Sequence, residues 1–264
     1  LKWQKSLDTA PANSSMLMNT TCCCRCMEAC VTRKAETNKM ITSFVTLTVG
    51  QTPRSGIMPL LDEYLPAEQV THTGLLDGMT REQIEQDFSP ESGEDMLVSC
   101  LLDGSQISLS SARVEQALQQ KINWLEGEGC DTILLLGTDE FHHLRARQAM
   151  LLEPDRIIPP LIGAIVGNNQ VGIVVPAASQ IENQAGKWLK LAKKPCFAAA
   201  NPYLDDEQGL IDAALSLRAQ GAQVVVLDCI GYQHAHCDII QKQLDVPVML
   251  SNTLLAKLAS ELLM

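Results

Sequence analysis

The chain is poor in basic residues and in aromatics, and no apolar run in it approaches the length of a membrane-spanning helix. Lys and Arg number 20 against 31 Asp and Glu, giving a net charge of −11 and an isoelectric point near 4.9. Such a surface repels phosphates, so neither nucleic acid nor an anionic membrane is an expected partner. Missing as well are GxGxxG, GxxxxGK[ST] and GxSxG, which leaves dinucleotide-binding, P-loop and serine-hydrolase readings without support. No signal-peptide pattern opens the chain, since Leu1-Lys-Trp-Gln-Lys5 leads into a polar stretch. Leu, Ala, Val and Ile are abundant: 46% of residues are apolar and 4% aromatic, a composition suited to an α/β fold.

Cysteine is plentiful, and its distribution is informative. Cys22, Cys23, Cys24, Cys26 and Cys30 crowd into one segment, while Cys100, Cys130, Cys196, Cys229 and Cys237 are scattered through apolar or helix-edge positions. Scattered cysteines in an α/β chain imply a reducing compartment and a cytoplasmic location. Residues 1–39 lack apolar periodicity and carry six Lys/Arg against three Asp/Glu, the reverse of the acidic balance in the rest of the chain. They read as an extension outside the fold. Adjacent cysteines do not readily converge on one tetrahedral ion, and no partner CxxC or His pair occurs at finger spacing, so no metal is expected there.

From Met40 onward, strands alternate with helical patterns. Expected strands are 41–49, 69–73, 132–136, 170–175, 196–199, 223–227 and 247–250. Met96–Leu102 and Gln106–Leu109 form a hairpin around Asp103-Gly104. Expected helices run to about Tyr64, then over 111–128, 179–193, 205–220, 233–244 and 253–263, the second opening on a serine cap. Repeated strand–loop–helix units imply parallel sheets with right-handed crossovers. The implied fold class is α/β with two similar parallel-sheet lobes and a cleft between them. Residues 40–165 form the first lobe, with 251–264 as a candidate addition to it, and 166–250 form the second.

Open α/β sheets bind ligands at the carboxyl ends of their strands. The run Val224-Val-Val-Leu-Asp-Cys-Ile-Gly-Tyr232 delivers Cys229 to that edge, just before a helix N-terminus that favours a thiolate. Gln51, Thr52, Arg54, Thr138, Asp139, Ser179 and Asn201 fall at other strand ends. A small anionic ligand suits this set, with Arg54 as carboxylate clamp and hydroxyls and helix amides as further donors. Each of these residues alone has a turn or cap role as its plainer reading, above all Ser179 and Asn201. His234-x-His236-Cys237 raises a metal, but residues two apart on a helix do not share a face, and nothing completes the set. His142 and His143 read as solvent-facing.

The stretch from Ile41 to Met264 resembles the AroM family, a branch of the aspartate/glutamate racemase superfamily. The likeness is carried by Thr48-Val-Gly-Gln-Thr-Pro-Arg54, Leu76-Asp-Gly78, Gly93-Glu-Asp95, Leu134–Phe141, Glu153-Pro154, Val171-Gly-Ile-Val-Val-Pro176, Leu227-Asp-Cys-Ile-Gly-Tyr232 and Asp245-Val-Pro-Val-Met-Leu-Ser-Asn252. The resemblance implies the two-lobed fold, cofactor-independent chemistry and, since relatives are often dimers, a homodimer. It implies no assigned activity. Racemases of this superfamily set one cysteine on each side of the substrate α-carbon. Here Cys229 matches the second-lobe position, and Gly137 stands at the first, leaving Asp139 or His142 as out-of-pattern substitutes. A single cysteine opposite a glycine is similar to the arylmalonate decarboxylases, where one thiol protonates an enediolate and the opposite lobe holds the anion, a part open to Thr138 and Ser179. Ala177-Ala178 after Pro176, and Asp228 and Ile230 around Cys229 in place of Gly-Cys-Thr, depart from those patterns.

Three functions emerge as expectations. The first is a cofactor-independent racemase, isomerase or decarboxylase acting α to a carboxylate, with Cys229 as acid/base and Gln51, Thr52, Arg54, Gly137, Thr138, Ser179 and Asn201 around the substrate. The second is a non-catalytic protein that binds a small carboxylate or aromatic-pathway metabolite. The third is a vestigial cleft in a protein that serves an assembly. No cofactor or metal is expected.

Overall fold

A computed structural model of the protein describes residues 43–53, 58–137, 140–204 and 206–263. The expectations for residues 1–39, Arg54, Thr138 and Asp139 lie outside them. Two four-stranded parallel sheets form the frame. The first is built from β1 (Phe44–Thr48), β2 (Val70–Gly74), β5 (Thr132–Leu136) and β6 (Met150–Leu152), in the order β2-β1-β5-β6. The second is built from β7 (Val171–Val175), β8 (Cys196–Ala199), β9 (Val224–Leu227) and β10 (Val248–Leu250), in the order β10-β9-β7-β8. An antiparallel hairpin of β3 (Met96–Cys100) and β4 (Gln106–Ser110) lies apart from both.

The helices are α1 (Met58–Tyr64), α2 (Arg81–Phe88), α3 (Ser111–Gly127), α4 (Pro154–Val166), α5 (Ile181–Ala185), α6 (Glu207–Ala219), α7 (His234–Leu244) and α8 (Ser251–Ser260). The helix expected over 179–193 is broken into short pieces: a 3-10 turn at Ala178–Gln180, α5, and a second 3-10 turn at Gly186–Trp188. The helix expected from Ser111 starts there as α3, and its serine cap is Ser110, whose hydroxyl accepts from the Arg113 amide. Three elements, α2, α4 and β6, lie where no element was expected.

Strand alternation sorts the core into layers. In the first sheet Val45, Leu47, Ile133 and Leu135 pack with Ile84 of α2 and Val114, Leu118 and Ile122 of α3. Phe44, Leu134 and Leu136 point the other way, into a cluster that also takes Val171, Ile173 and Val175 of β7 and Val224 and Val226 of β9. That shared cluster is filled by Leu61 of α1, Ile158, Ile162 and Val166 of α4, Trp188, and Leu255, Ala256 and Ala259 of α8. The outer face of the second sheet (Val174, Val225, Leu227) packs with Leu210, Ala213, Ala214 and Leu217 of α6 and Ile240 of α7. The last helix, α8, thus returns from β10 to lie against α1 and α4. One apolar layer therefore belongs to both sheets, and the space at its carboxyl-edge rim is where their strand ends meet.

Candidate functional site

At that rim lies a cavity of about 30 Å³. From the first sheet it is walled by Leu134, Leu136 and Gly137 at the end of β5, and by Pro154 and Ile158 of α4. From the second sheet come Asp228 and Ile230, just past β9, and Lys187 in the 3-10 turn; Ser251, Asn252 and Leu255 of α8 close it. Most of the wall is apolar, and its polar side chains are Lys187, Asp228, Ser251 and Asn252. The Lys187 ammonium lies 2.6 Å from Asp228 Oδ2 and 3.8 Å from Asp155 Oδ1. The Lys187 and Asp228 side chains are 5% and 3% exposed, so the pair is removed from water. Asp155 sits in the first turn of α4, where the helix dipole favours a carboxylate. Asn252 is fully occupied: its amide donates to Ile230 O and Tyr232 O at 3.0 and 2.8 Å, and its Oδ1 accepts from the Thr253 amide at 2.6 Å. It thereby ties the loop after β9 to the start of α8.

Cys229 is the next residue along, and it takes the other side. Val224 and Val226 face the shared cluster, Val225 and Leu227 the outer one. The same parity continues past the strand, so Asp228 lines the cavity while Cys229 packs with Ala198, Ala200, Tyr232 and Cys237. Its Sγ accepts from the Gly231 amide at 3.4 Å and lies 3.8 Å from the Tyr203 hydroxyl. A Cβ on Gly231 would stand 2.6 Å from the Tyr203 ring, so the missing side chain is what admits the phenol beside the sulfur. Tyr203 itself is 59% exposed and links the buried thiol to solvent. Tyr232 donates to Ala200 O at 2.6 Å, and burial first, then the neighbouring Cys229 and Asp228, pushes its phenol far above the usual tyrosine range.

The other thiols contrast with this arrangement. Burial pushes Cys130 up to about 11 and Cys237 up to about 12, and raises Cys196 as well. All three are small core side chains in the protonated state.

The residues expected to contact substrate separate into groups. Gly137 lines the cavity. Gln51 has its whole amide engaged, donating to Leu76 O and Met79 O and accepting from the Leu102 amide at 2.9 Å. Thr52 gives its amide and hydroxyl to the Asp77 carboxylate, each at 2.7 Å, and Gly74 N–H joins at 2.6 Å. Asn201 accepts from the Tyr203 amide at 2.9 Å, a turn that positions the phenol. Ser179 is exposed on the 3-10 turn after β7. His142 and His143 are exposed, and His236 Nδ1 accepts from the Gln233 amide at 2.9 Å as a helix cap. No group of three or more His, Cys, Asp or Glu that could hold a metal occurs among the described residues.

Lys187, Asp155 and Tyr203 were not anticipated. A carboxylate directly after four buried apolar residues was the available signal, since Asp228 at a buried strand end requires a cation or donors nearby.

Two parallel sheets that share a core and meet at their carboxyl edges define the α/β architecture of the aspartate/glutamate racemases. Solved structures with this fold include glutamate racemase isoform RacE1 of Bacillus anthracis, 14% identical, with 84% of this chain and 81% of that one covered and a TM-score of 0.54. Glutamate racemase of Francisella tularensis in complex with D-glutamate is 14% identical over 83% and 80% of the two chains, with a TM-score of 0.50. Unliganded arylmalonate decarboxylase is 13% identical over 83% and 92%, also with a TM-score of 0.50. At these identities the likeness is one of fold. The chain belongs to the AroM family, whose model (AroM protein) matches residues 44–263. No curated protein matches it. No helix among the described residues is long and apolar enough to cross a membrane.

Proposed function

We propose that this AroM family protein is a cofactor-independent enzyme that moves a proton at the carbon next to a carboxylate, with Cys229 as the exchanging acid/base. The observation that carries this reading is the surrounding of the Cys229 sulfur: an amide donor from Gly231 at 3.4 Å and the Tyr203 hydroxyl at 3.8 Å. The amide places a hydrogen-bond donor on the sulfur, and the exposed phenol gives it a route for protons. In the reaction the substrate C–H bond breaks, its proton passes to the thiolate, and the electron pair is held as an enediolate on the carboxylate. Reprotonation by the same thiol at a second carbon of a delocalised anion completes an isomerisation, whereas return to the same carbon from the same face regenerates the substrate. In a decarboxylation, the C–C bond to the departing carbon dioxide breaks instead and the thiol supplies the proton. Gly137, bare at the other sheet's edge, fits one-thiol chemistry better than the two-thiol form. Arg54, Thr138 and Ser179 remain the ligand-binding residues of this reading, with Gln51, Thr52 and Asn201 shaping the loops that carry them.

A second reading, a protein that binds a small carboxylate without turnover, draws support from the 7% exposure of Cys229. The pH dependence of alkylation at each cysteine, followed by mass spectrometry with and without dicarboxylates and aryl acids, separates the two. The enzyme reading expects Cys229 to react faster than Cys130, Cys196 and Cys237, and a ligand to protect it. An inert Cys229 in a protein that a carboxylate still stabilises thermally refutes it in favour of the second.

A further inference from the structure

The cavity at the rim of the shared core presents donors. An ammonium carries three N–H groups. Among the described residues, Lys187 has Asp228 as its one ionic partner within hydrogen-bonding distance, at 2.6 Å, with Asp155 further off at 3.8 Å. Ser251, 6% exposed, lines the same cavity, and its hydroxyl can donate a hydrogen bond. It is also the first residue of α8, whose opening turn has amides that the helix does not use. The one acidic charge in excess of Lys187 is offset by the N-termini of α4 and α8, each equivalent to roughly half a positive charge. The cavity is thus close to neutral, apolar over most of its wall, and lined in part by an ammonium, a hydroxyl and a helix N-terminus. At about 30 Å³ it holds a water or two, and a group of similar size can take their place.

We propose that Lys187 and Ser251 bind the carboxylate of the small anionic ligand in this cavity, with Asp228 and Asp155 aiming the lysine. The inference rests on the ligand class of the proposed function, a small carboxylate, and gives it a cationic anchor on the face of the second sheet that Asp228 lines, opposite the face that holds the Cys229 sulfur. Gly137 lines the same cavity and brings no side chain into it. A purely structural ion pair, tying the 3-10 turn to the end of β9, is the competing account.

The test is isothermal titration calorimetry of the full chain with malonate, succinate, L-glutamate and phenylacetate. Three proteins are compared: wild type, Ser251→Ala, and the double variant Lys187→Met/Asp228→Asn, which removes the cation together with its nearest carboxylate. The expected result is binding of at least one carboxylate to wild type, weakened tenfold or more in the double variant and severalfold in Ser251→Ala. Should the double variant fail to fold, by circular dichroism, Ser251→Ala decides alone. Unchanged affinity in the folded variants overturns the role of Lys187 and Ser251 and leaves carboxylate binding and the Cys229 chemistry standing. No binding of any of the four to wild type overturns this inference together with the ligand class it rests on.

Discussion

Replacing Lys187 by Met tests whether the pair at the cavity rim is as dry as its geometry says. At 2.6 Å the attraction between Lys187 and Asp228 is about 6 kcal/mol for an effective dielectric of ~20. Against it stands a desolvation penalty of several kcal/mol per ion, so the intact pair contributes little net stability. Removing one partner is different. Lys187→Met leaves the Asp228 carboxylate, 3% exposed, without its counter-ion, and such a loss costs about 3–5 kcal/mol. For a chain of this size that lowers the melting temperature by roughly 10 °C. Lys187→Met/Asp228→Asn removes both charges at once and should recover most of the loss. Urea unfolding followed by far-ultraviolet circular dichroism at pH 7 measures both variants. A single variant within about 1 kcal/mol of wild type, or a double variant no better than the single, refutes the claim that the pair is sealed from water.

Glu126 Oε1 accepts three backbone amides, from Arg147 and Gln148 at 2.7 Å and Ala149 at 3.0 Å, and those bonds hold its carboxyl below the usual value of 4.5. Its contribution is present above that value and is lost as pH falls through the lower folded one, so Glu126→Gln should cost about 1 kcal/mol at pH 7 and progressively less as pH falls below 4.5; a urea-midpoint difference that does not shrink with falling pH contradicts this. Burial lowers the pKa of His236 below 6.5. The unfolded chain therefore takes up the proton first, and wild type should lose stability as pH falls from 6.5 towards the folded value while His236→Gln loses less. Equal pH slopes for the two refute it. A Cβ on Gly172 in β7 would meet Ala222 Cβ and Leu217 Cδ1 at 3.0 Å, so Gly172→Ala should cost about 1–3 kcal/mol by overpacking, read from the urea midpoint.

The frame of the molecule is legible because its central strands are short, β-branched and buried on both faces. Val171–Val175 and Val224–Leu227 are five- and four-residue apolar runs, ended by Pro176 and by Asp228, and they appear where expected. The elements that escaped notice break those rules. β6, Met150–Leu152, is a three-residue edge strand of Met and Leu with an exposed first residue, too short and too plain to register. α4 carries Pro154, Pro159 and Pro160. The last two each remove an interior helix bond, which reads as a break; the burial of Ile158, Ile162 and Val166 in the shared core overrides it. The helix expected over 179–193 fails for a related reason. The tight turn at Gly186–Trp188 buries two consecutive residues, Lys187 and Trp188, and that burial arises from tertiary contacts rather than from local pattern.

The candidate site is legible in position and not in orientation. Cys229 stands out because it ends an apolar strand, but a run buried on both faces has no polar alternation to tell which residue meets the cavity. Parity is set by the partner sheet: Val226 shares a core with Leu134 and Leu136, so two residues later Asp228 must look the same way, and Cys229 the other. Of the two neighbours, Asp228 is the stronger clue. A thiol is content in an apolar layer, whereas a carboxylate there requires a counter-charge. That counter-charge is a lysine about forty residues earlier in the chain, whose local sequence, Gly186-Lys-Trp188, gives no hint of burial. The sequence thus points to the edge at which ligands bind, while the pairing that gives this edge its charge becomes visible once the two sheets are brought together.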